Sequence, residues 1–259
     1  MTSPVVSDCD PPGFAFMPRV WSVDWNNYRA ALFDLDGVLT PTTEIHMAAW
    51  SQLFNDFLLV LGAAEPYTDD DYFAYVDGKP RYEGVASFLA SRGIDLPAGA
   101  ASDPPTADTI AGLGNRKNVY FNRVLASDGI KPYPGSVRLI EALAARELPM
   151  AVVSSSRNAE AVLDAAGIAG YFDAVVDGVV SRELELAGKP QPAGFLHAAR
   201  TLGVDPAEAV VVEDALSGVQ AGRAGGFGLV IGVDRGAGRG ALLDAGADLV
   251  VEDCEELLP

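Results

Sequence analysis

From Tyr133 onward, short apolar runs alternate with segments of helical periodicity. The apolar runs predict strands at 150–153, 174–176, 209–212, 229–231 and 249–251. The periodic segments predict helices at 136–146, 159–166, 193–202, 217–224 and 240–245. An earlier apolar run at 30–33 predicts one more buried strand. Such alternation is typical of a parallel sheet with helices on both faces.

Residues 42–130 have a different pattern and contain no convincing strand. Apolar positions at helical spacing predict helices at 44–61, 69–76, 84–92 and 110–126, with a loop at 97–105. We therefore predict an α/β core made of residues 28–41 and 131–259. An all-helical cap at 42–130 would interrupt this core and cover the strand ends, and 1–27 would form an irregular N-terminal extension.

Polar side chains follow several predicted strands, at the point where each strand ends. The carboxyl ends of parallel strands meet at one edge of a sheet, so these groups are expected to converge there. If the first strand continues to Asp36, the carboxylates of Asp34 and Asp36 also point to the same side of it. Each group alone has an ordinary interpretation as a solvated strand end, a helix-capping turn or a surface lysine. Together they predict one site, formed by Asp34, Asp36, Ser154-Ser155-Ser156-Arg157-Asn158, Lys189, Glu213 and Asp214.

The chemistry of these groups is mutually consistent. Carboxylate oxygens of Asp34 and Asp214, with Glu213 nearby, are ligands that Mg²⁺ prefers. Hydroxyl and backbone N–H groups at Ser154 and Ser155, ahead of a helix, suit a phosphoryl group. Lys189 adds a compact positive charge. We predict Mg²⁺-dependent phosphoryl transfer, with one aspartate as nucleophile and metal ligand and the other moving a proton.

Composition disfavours several other classes of function and of structure. The net charge is −18, with 36 acidic residues against 18 basic ones, which disfavours binding to nucleic acid and to anionic membranes. The chain has no basic-then-apolar N-terminus and no apolar run near the ~18 residues needed to span a bilayer. Cys9 and Cys254 lie near opposite ends, which favours neither a disulfide framework nor a zinc cluster. We expect a cytoplasmic monomer; intact acidic groups and Lys189 argue against a catalytically silent binding module.

Four motifs carry a resemblance to a known family: Asp-Leu-Asp-Gly-Val at 34–38, Ser-Ser-Ser-Arg-Asn at 154–158, Gly-Lys-Pro at 188–190 and Val-Glu-Asp-Ala at 212–215. The chain resembles the haloacid dehalogenase superfamily over roughly 28–251. The resemblance implies a Rossmann-like parallel-sheet core with an inserted helical cap. It also implies Asp34 as the phosphorylated aspartate, Asp36 as acid and base, and Ser154 and Lys189 as phosphate ligands. Mg²⁺ would bind Asp34, Asp214 and the backbone carbonyl of Asp36.

Residues of the predicted cap are similar to the β-phosphoglucomutase group of this superfamily. The resemblance implies that Arg81 holds the non-transferring phosphate, assisted by Ser156 and Asn158. It implies that His46 and Lys117 link proton transfer to cap closure. The remaining candidates for substrate binding are Thr42, Trp50, Gly78, Ser155 and Arg157.

The substrate implied by the resemblance is a small phosphorylated sugar. The reaction would convert β-D-glucose 1-phosphate to glucose 6-phosphate, with glucose 1,6-bisphosphate as primer and intermediate. Pro41, Gly84 and a long loop at 98–109 depart from the mutase pattern. A phosphatase for a small sugar or polyol phosphate is therefore the alternative. His46 and Trp50, four residues apart on an apolar helix, are alternatively a packing pair.

Overall fold

The computed structural model of the chain describes residues 23–62 and 65–259. Its centre is a six-stranded, fully parallel sheet with strand order β3-β2-β1-β4-β5-β6. The predicted strands are confirmed, two of them slightly longer than expected. Their bounds are Ala30–Phe33 (β1), Met150–Val153 (β2), Ala174–Val176 (β3), Ala209–Glu213 (β4), Leu229–Val233 (β5) and Leu249–Val251 (β6).

The central strands are buried on both faces because they consist of small and β-branched apolar residues. Along β1, Ala30 and Leu32 belong to the apolar cluster on one face, while Ala31 and Phe33 belong to the cluster on the other. The strand order also decides where chemistry can occur. Strands β2 and β3 lie on one side of β1, and β4, β5 and β6 lie on its other side. Ligands of such sheets bind outside the carboxyl ends of the strands at the point where the order switches sides.

Helices cover both faces of the sheet, as predicted. Residues of two helices, Pro134–Ala144 (α5) and Ala159–Ala166 (α6), pack on the face that includes Phe33. The opposite face is covered by Ala193–Leu202 (α8), Leu216–Ala224 (α9) and Arg239–Ala245 (α10). The prediction missed the short helix Gly178–Glu183 (α7), which begins where the Asp177 side chain accepts from two backbone N–H groups.

Between β1 and α5, the described residues form helices and loops, and this helical segment packs around its own aromatic core. Rings of Trp50, Phe54 and Phe88 stack in series, with centroids 5.3 and 4.2 Å apart. The second predicted helix is a single α-turn, Asp69–Asp71 (α2), continued by a π-helical stretch, Tyr72–Val76. The other helices are Thr42–Leu61 (α1), Arg81–Ser91 (α3) and Ile110–Asp128 (α4). The exact domain boundaries stay a prediction.

Most of the predicted N-terminal extension lies outside the described residues, as does Cys9. Its last part is anchored: Trp25 is buried, and its indole N–H donates to the Leu257 carbonyl at 2.8 Å. Cys254 is also buried, and burial raises the pKa of its thiol to about 11. Among the described helices, none combines the length and apolar character required for a bilayer crossing.

Candidate active site

The two aspartates after β1 are positioned by a turn, which corrects one premise of the sequence analysis. The strand ends at Phe33, so alternation along a strand does not align Asp34 with Asp36. Asp34 still pairs with the neighbouring strand, because its backbone N–H donates to the Val212 carbonyl at 2.9 Å. The chain then turns at Gly37, where φ is +90° and a Cβ atom would lie 1.9 Å from Asp214 Oδ2. Only glycine permits this close approach between the turn and the Asp214 carboxylate.

A buried charge cluster lies at the carboxyl ends of β1 and β4. Lys189 Nζ lies 2.5 Å from Asp34 Oδ1 and 2.5 Å from Glu213 Oε1, and it also donates to the Val153 carbonyl at 3.1 Å. Asp34, Lys189, Glu213 and Asp214 are all buried. The fold therefore brings side chains from three distant segments into one cluster of three carboxylates, two of which contact the Lys189 ammonium.

The composition of this cluster fits a divalent cation. Asp34, Glu213 and Asp214 each offer an oxygen, and these oxygens lie within 4.8 Å of one another. Burial, together with the charge of Glu213, raises the pKa values of Asp34 and Asp214 well above the ordinary range. Both effects penalise the negative charge that a hard cation would stabilise. Oxygen ligands of this kind suit Mg²⁺.

Asp36 faces different partners and has the opposite electrostatic character. It accepts a hydrogen bond from Thr42 Oγ1, and Ser154 Oγ donates to its other oxygen at 3.3 Å. His46 Nε2 lies 3.3 Å from Asp36 Oδ1, although without hydrogen-bond geometry. Burial opposes ionisation, but these neighbours outweigh it and lower the pKa of Asp36 to about 2.

His46 is connected in turn to Lys117, as the pairing in the sequence analysis requires. Lys117 Nζ is hydrogen-bonded to His46 Nδ1, and the lysine is only 2% exposed. Burial, followed by the charge of Arg81, lowers the pKa of Lys117 well below the ordinary range. Burial and Lys117 likewise lower the pKa of His46. The pair thus joins helices α1 and α4 to Asp36, across the junction of cap and core.

The structure places Thr42 beside Asp36 and not in the cavity, and it shows Trp50 both as a packing residue and as a residue that lines the cavity. Thr42 is fully buried and contacts Thr40 and Asp36, so it supports Asp36 from behind instead of reaching a substrate. Trp50 is 4% exposed and stacks on Phe54, as a packing residue does. It also lines the cavity above Asp34, with its ring 5.2 Å from Lys117 Nζ.

A second group of polar residues lies where the cap helices meet the serine-rich loop after β2. Arg81 Nη2 donates to Asn118 Oδ1 at 2.8 Å, and Asn158 Nδ2 donates to the same oxygen at 2.8 Å. Arg157 Nη1 lies 3.5 Å from the Tyr82 hydroxyl. Burial, with the nearby charge of Arg157, lowers the pKa of Arg81 to about 10. Within residues 23–62 and 65–259, no carboxylate lies within 4.0 Å of either guanidinium.

Gly78 forms a further close contact between cap and core beside this group. Ser155 Oγ donates to the Gly78 carbonyl at 2.9 Å. The φ of Gly78 is +68°, and a Cβ atom there would lie 2.0 Å from Ser217 Oγ. Glycine therefore lets the cap backbone lie directly on residues that follow the acidic cluster.

The acidic cluster and the guanidinium pair share one narrow cavity of about 70 Å³. This volume is far below the ~300 Å³ of a small-molecule pocket, so the closed cap must move to admit a sugar phosphate. The predicted site residues that line it are Asp34, Asp36, His46, Trp50, Gly78, Arg81, Lys117, Ser155, Ser156, Arg157, Glu213 and Asp214. Ser154 and Lys189 contact the two aspartates from beside it, and Asn158 lines an adjoining cavity of about 400 Å³.

Sequence reasoning missed several cavity-lining residues of the cap: Thr43, Tyr72, Val76, Asp77 and Lys79. Tyr72 is buried, and Asp77 immediately precedes the Gly78 contact. Burial and the charge of Glu213 raise the pKa of Asp77 to about 6. Its place directly before Gly-Lys-Pro-Arg was the one available signal, because no strand end or motif draws attention to it.

Comparison with known proteins agrees with this architecture. A family model described as haloacid dehalogenase-like hydrolase matches residues 28–226, and the chain belongs to that family. A Mycobacterium bovis protein named β-phosphoglucomutase is 49% identical over 240 residues, covering 89% of this chain and 91% of the relative. Fructose-1-phosphate phosphatase YqaB of Escherichia coli is 30% identical, covering 80% of this chain and 97% of the relative.

A solved structure supports the fold independently. The crystal structure of β-phosphoglucomutase from Clostridium difficile superposes with a TM-score of 0.73, covering 89% of this chain and 93% of that one. Its sequence identity is 24%, so the likeness establishes the shared fold alone. The predicted fold class, a parallel-sheet core of the haloacid dehalogenase type with a helical cap, is confirmed.

Proposed function

We propose that the chain is a Mg²⁺-dependent β-phosphoglucomutase that converts β-D-glucose 1-phosphate to glucose 6-phosphate through β-glucose 1,6-bisphosphate. One observation carries the proposal: a cavity with buried carboxylates at one end and, at the other, two guanidinium groups that have no carboxylate partner among the side chains the structure describes. A mutase must hold two phosphates at once, one reacting and one not. The 49% identity to a protein named β-phosphoglucomutase supports the same assignment.

In the first half-reaction, phosphorylated Asp34 donates its phosphoryl group to the 6-hydroxyl of β-D-glucose 1-phosphate. The bond between phosphorus and the Asp34 oxygen breaks, and a bond to the sugar oxygen forms. Asp36 accepts the proton of that hydroxyl, and the lowering of its pKa to about 2 means that it is ionised before the transfer. The product is the 1,6-bisphosphate, which primes the enzyme when it is supplied from outside.

In the second half-reaction, the bisphosphate binds in the opposite orientation. An Asp34 oxygen attacks the phosphorus at position 1, and the bond from phosphorus to the sugar oxygen breaks. Asp36 returns its proton to that oxygen and releases glucose 6-phosphate. Arg81, assisted by Ser156 and Asn158 and with Arg157 beside it, holds the other phosphate each time, which keeps the reacting group beside Asp34.

Asp34, Glu213 and Asp214 are the side chains proposed to hold Mg²⁺, together with the Asp36 backbone carbonyl. When bound, the ion offsets the charge that otherwise keeps an anionic phosphoryl group away from Asp34. Lys189, at 2.5 Å from Asp34 Oδ1, orients the nucleophile and presents an ammonium to the transferring oxygens. Ser154 is proposed to donate to the same phosphoryl group.

The His46–Lys117 pair is proposed to connect catalysis with cap closure. Both side chains belong to cap helices, and His46 reaches Asp36 only when the cap lies against the core. Closure buries Asp36, and the electrostatic effect of His46 and Lys117 then offsets the cost of keeping it ionised. An open cap would leave Asp36 with its core partner Ser154 and the nearby Thr42.

A phosphatase for a small sugar phosphate is the second candidate, and the similarity to fructose-1-phosphate phosphatase YqaB favours it. The same Asp34 chemistry would then end with water as the acceptor. Product analysis separates the two functions. Enzyme, Mg²⁺ and a trace of glucose 1,6-bisphosphate are incubated with either anomer of glucose 1-phosphate, and ³¹P NMR follows the products. We expect glucose 6-phosphate from the β anomer; stoichiometric inorganic phosphate from either anomer would support the phosphatase.

We propose that residues 28–41 and 131–259 act as the catalytic core and that 42–130 act as a mobile cap. The protein is expected to work as a cytoplasmic monomer on a small phosphorylated sugar.

A further inference from the structure

The amide of Asn118 is the point at which the cap and the core meet in the guanidinium group. Its Oδ1 accepts from Arg81 Nη2 and from Asn158 Nδ2, both at 2.8 Å. Guanidinium groups donate and never accept, so the Asn118 atom that faces Arg81 must be the oxygen. That assignment leaves the Asn158 amide nitrogen as the second donor. The neutral oxygen of Asn118 thus accepts one hydrogen bond from the Arg81 guanidinium of the cap and one from the Asn158 amide of the core.

These donors belong to the set that the proposed function uses for the non-reacting phosphate. A phosphate oxygen would accept from the same two N–H groups, and more strongly, because hydrogen bonds between ionised groups are roughly twice as strong as neutral ones. The half-buried guanidinium of Arg81 needs an acceptor in the absence of phosphate, since a charge removed from water without a partner is costly. Asn118 supplies that acceptor.

We propose that Asn118 is a positioning residue. Without ligand, its amide oxygen accepts the hydrogen bonds of Arg81 and Asn158, and the non-reacting phosphate displaces that oxygen when it binds. The inference rests on the proposed function and deepens it, because it concerns the second phosphate of a sugar bisphosphate. The amide oxygen holds Arg81 and Asn158 at the spacing of one shared acceptor while the cap is closed and empty. Bisphosphate binding then exchanges the amide oxygen for a phosphate oxygen, and both donors stay paired throughout.

The neutrality of Asn118 is the essential property in this account. A neutral acceptor is displaced readily, whereas a carboxylate at the same place would pair with Arg81 and repel the incoming phosphate. Asn118→Asp should therefore compete with the ligand. Asn118→Ala removes the oxygen that competes with the phosphate, which should strengthen binding. It also removes the acceptor that holds Arg81 and Asn158 at the required spacing, which should weaken binding, so the two effects on affinity oppose each other.

The test measures binding of glucose 1,6-bisphosphate by calorimetry in the presence of Mg²⁺, with Asp34→Asn in every protein to prevent turnover. We expect Asn118→Asp to raise Kd by at least about 10-fold, the scale of one charge-assisted hydrogen bond. Asn118→Ala should stay within about 3-fold of the parent. Asn122→Asp is the matched control, because it makes the same charge change at an exposed position one turn further along α4.

A second measurement separates positioning from general damage. Hydrolysis of acetyl phosphate, which has no second phosphate, is followed in proteins that retain Asp34. Asn118→Asp should lower bisphosphate affinity by a much larger factor than it lowers this rate, whereas a misfolded cap would lower both together.

Three results would overturn the inference. Equal weakening by Asn118→Ala and Asn118→Asp would make Asn118 a direct phosphate ligand and not a placeholder. An unchanged Kd in Asn118→Asp, with the parent binding normally, would refute the inference and leave the proposed function intact. Absence of bisphosphate binding by the parent itself would overturn the proposed function and, with it, this inference.

Discussion

The two ends of the catalytic cavity carry opposite excess charge. At the sheet edge, Asp34, Glu213 and Asp214 crowd around one ammonium, so the cluster carries excess negative charge and requires a cation. At the other end, the described side chains that pair with Arg81 and Arg157 are neutral, so that end carries excess positive charge and suits an anion. The first end lies at the sheet, and the second lies where helices α3 and α4 meet the loop after β2.

This difference separates chemistry from orientation. The three carboxylates of the acidic end lie at the carboxyl ends of two neighbouring strands of one sheet. The basic end exists only when Arg81 of the cap approaches Asn158 and Arg157 of the core. Cleaving a phosphoryl bond needs the first end, while turning a bisphosphate around needs both. Substitutions at the two ends should therefore have different signatures, and the predictions below use that contrast.

The largest effect is expected from removing the nucleophile at the acidic end. Asp34→Asn should lower the rate of every phosphoryl transfer at least about 10³-fold, because no other group replaces the attacking oxygen. The measurement is hydrolysis of acetyl phosphate together with glucose 6-phosphate formation. Asp164→Asn, an exposed change on α6, is the control. Retention of either activity by Asp34→Asn would refute the role of this aspartate.

Weakening the cation site should have the next largest effect. Glu213→Gln keeps the shape of the side chain but removes one charge beside Lys189, and we expect the Kd for Mg²⁺ to rise roughly 10–100-fold. Calorimetric titration with Mg²⁺ measures this, with the exposed Glu160→Gln as the control. Activity of the wild type should also disappear on exhaustive chelation and return with Mg²⁺. An unchanged Kd in Glu213→Gln would remove Glu213 from the metal site.

The smallest predicted effect concerns the contact between cap and core. Gly78 and Gly203 have nearly the same φ, +68° and +69°, but only at Gly78 would a Cβ meet a neighbour within 4 Å. Alanine at either position should lower the free energy of unfolding by about 1 kcal/mol, because the left-handed conformation disfavours a side chain. Only Gly78→Ala should also raise KM several-fold, since its methyl group pushes against Ser217.

Thermal melts and steady-state kinetics on the two variants supply this comparison. Equal KM values in Gly78→Ala and Gly203→Ala would show that the close approach at Gly78 has no part in cap closure.

The acidic end was predictable from sequence because its residues follow strands that local sequence patterns predict. Asp34, Glu213 and Asp214 follow recognisable strands, and the parallel arrangement brings those strand ends together. The turn at Gly37 was less accessible, since strand periodicity cannot reveal that β1 stops at Phe33.

The basic end was harder to predict from physical reasoning. Arg81 and Asn118 lie on different cap helices, and nothing in either helix specifies that their side chains meet Asn158. Resemblance to the family supplied Arg81, but it did not supply the shared Asn118 acceptor. Tyr72 and Asp77 were missed for a similar reason: the π-helical turn that directs them into the cavity has no distinct periodicity.

The contrast between the two ends is tested most directly by the product ratio of Arg81→Ala. Enzyme, Mg²⁺, β-D-glucose 1-phosphate and glucose 1,6-bisphosphate are incubated, and glucose 6-phosphate and inorganic phosphate are quantified in the same sample. Losing the charged hydrogen bonds of Arg81 should lower the ratio of glucose 6-phosphate to inorganic phosphate by about 10-fold or more, while acetyl phosphate hydrolysis stays near the wild-type rate. Equal loss of all three activities would contradict a separate site for the non-reacting phosphate.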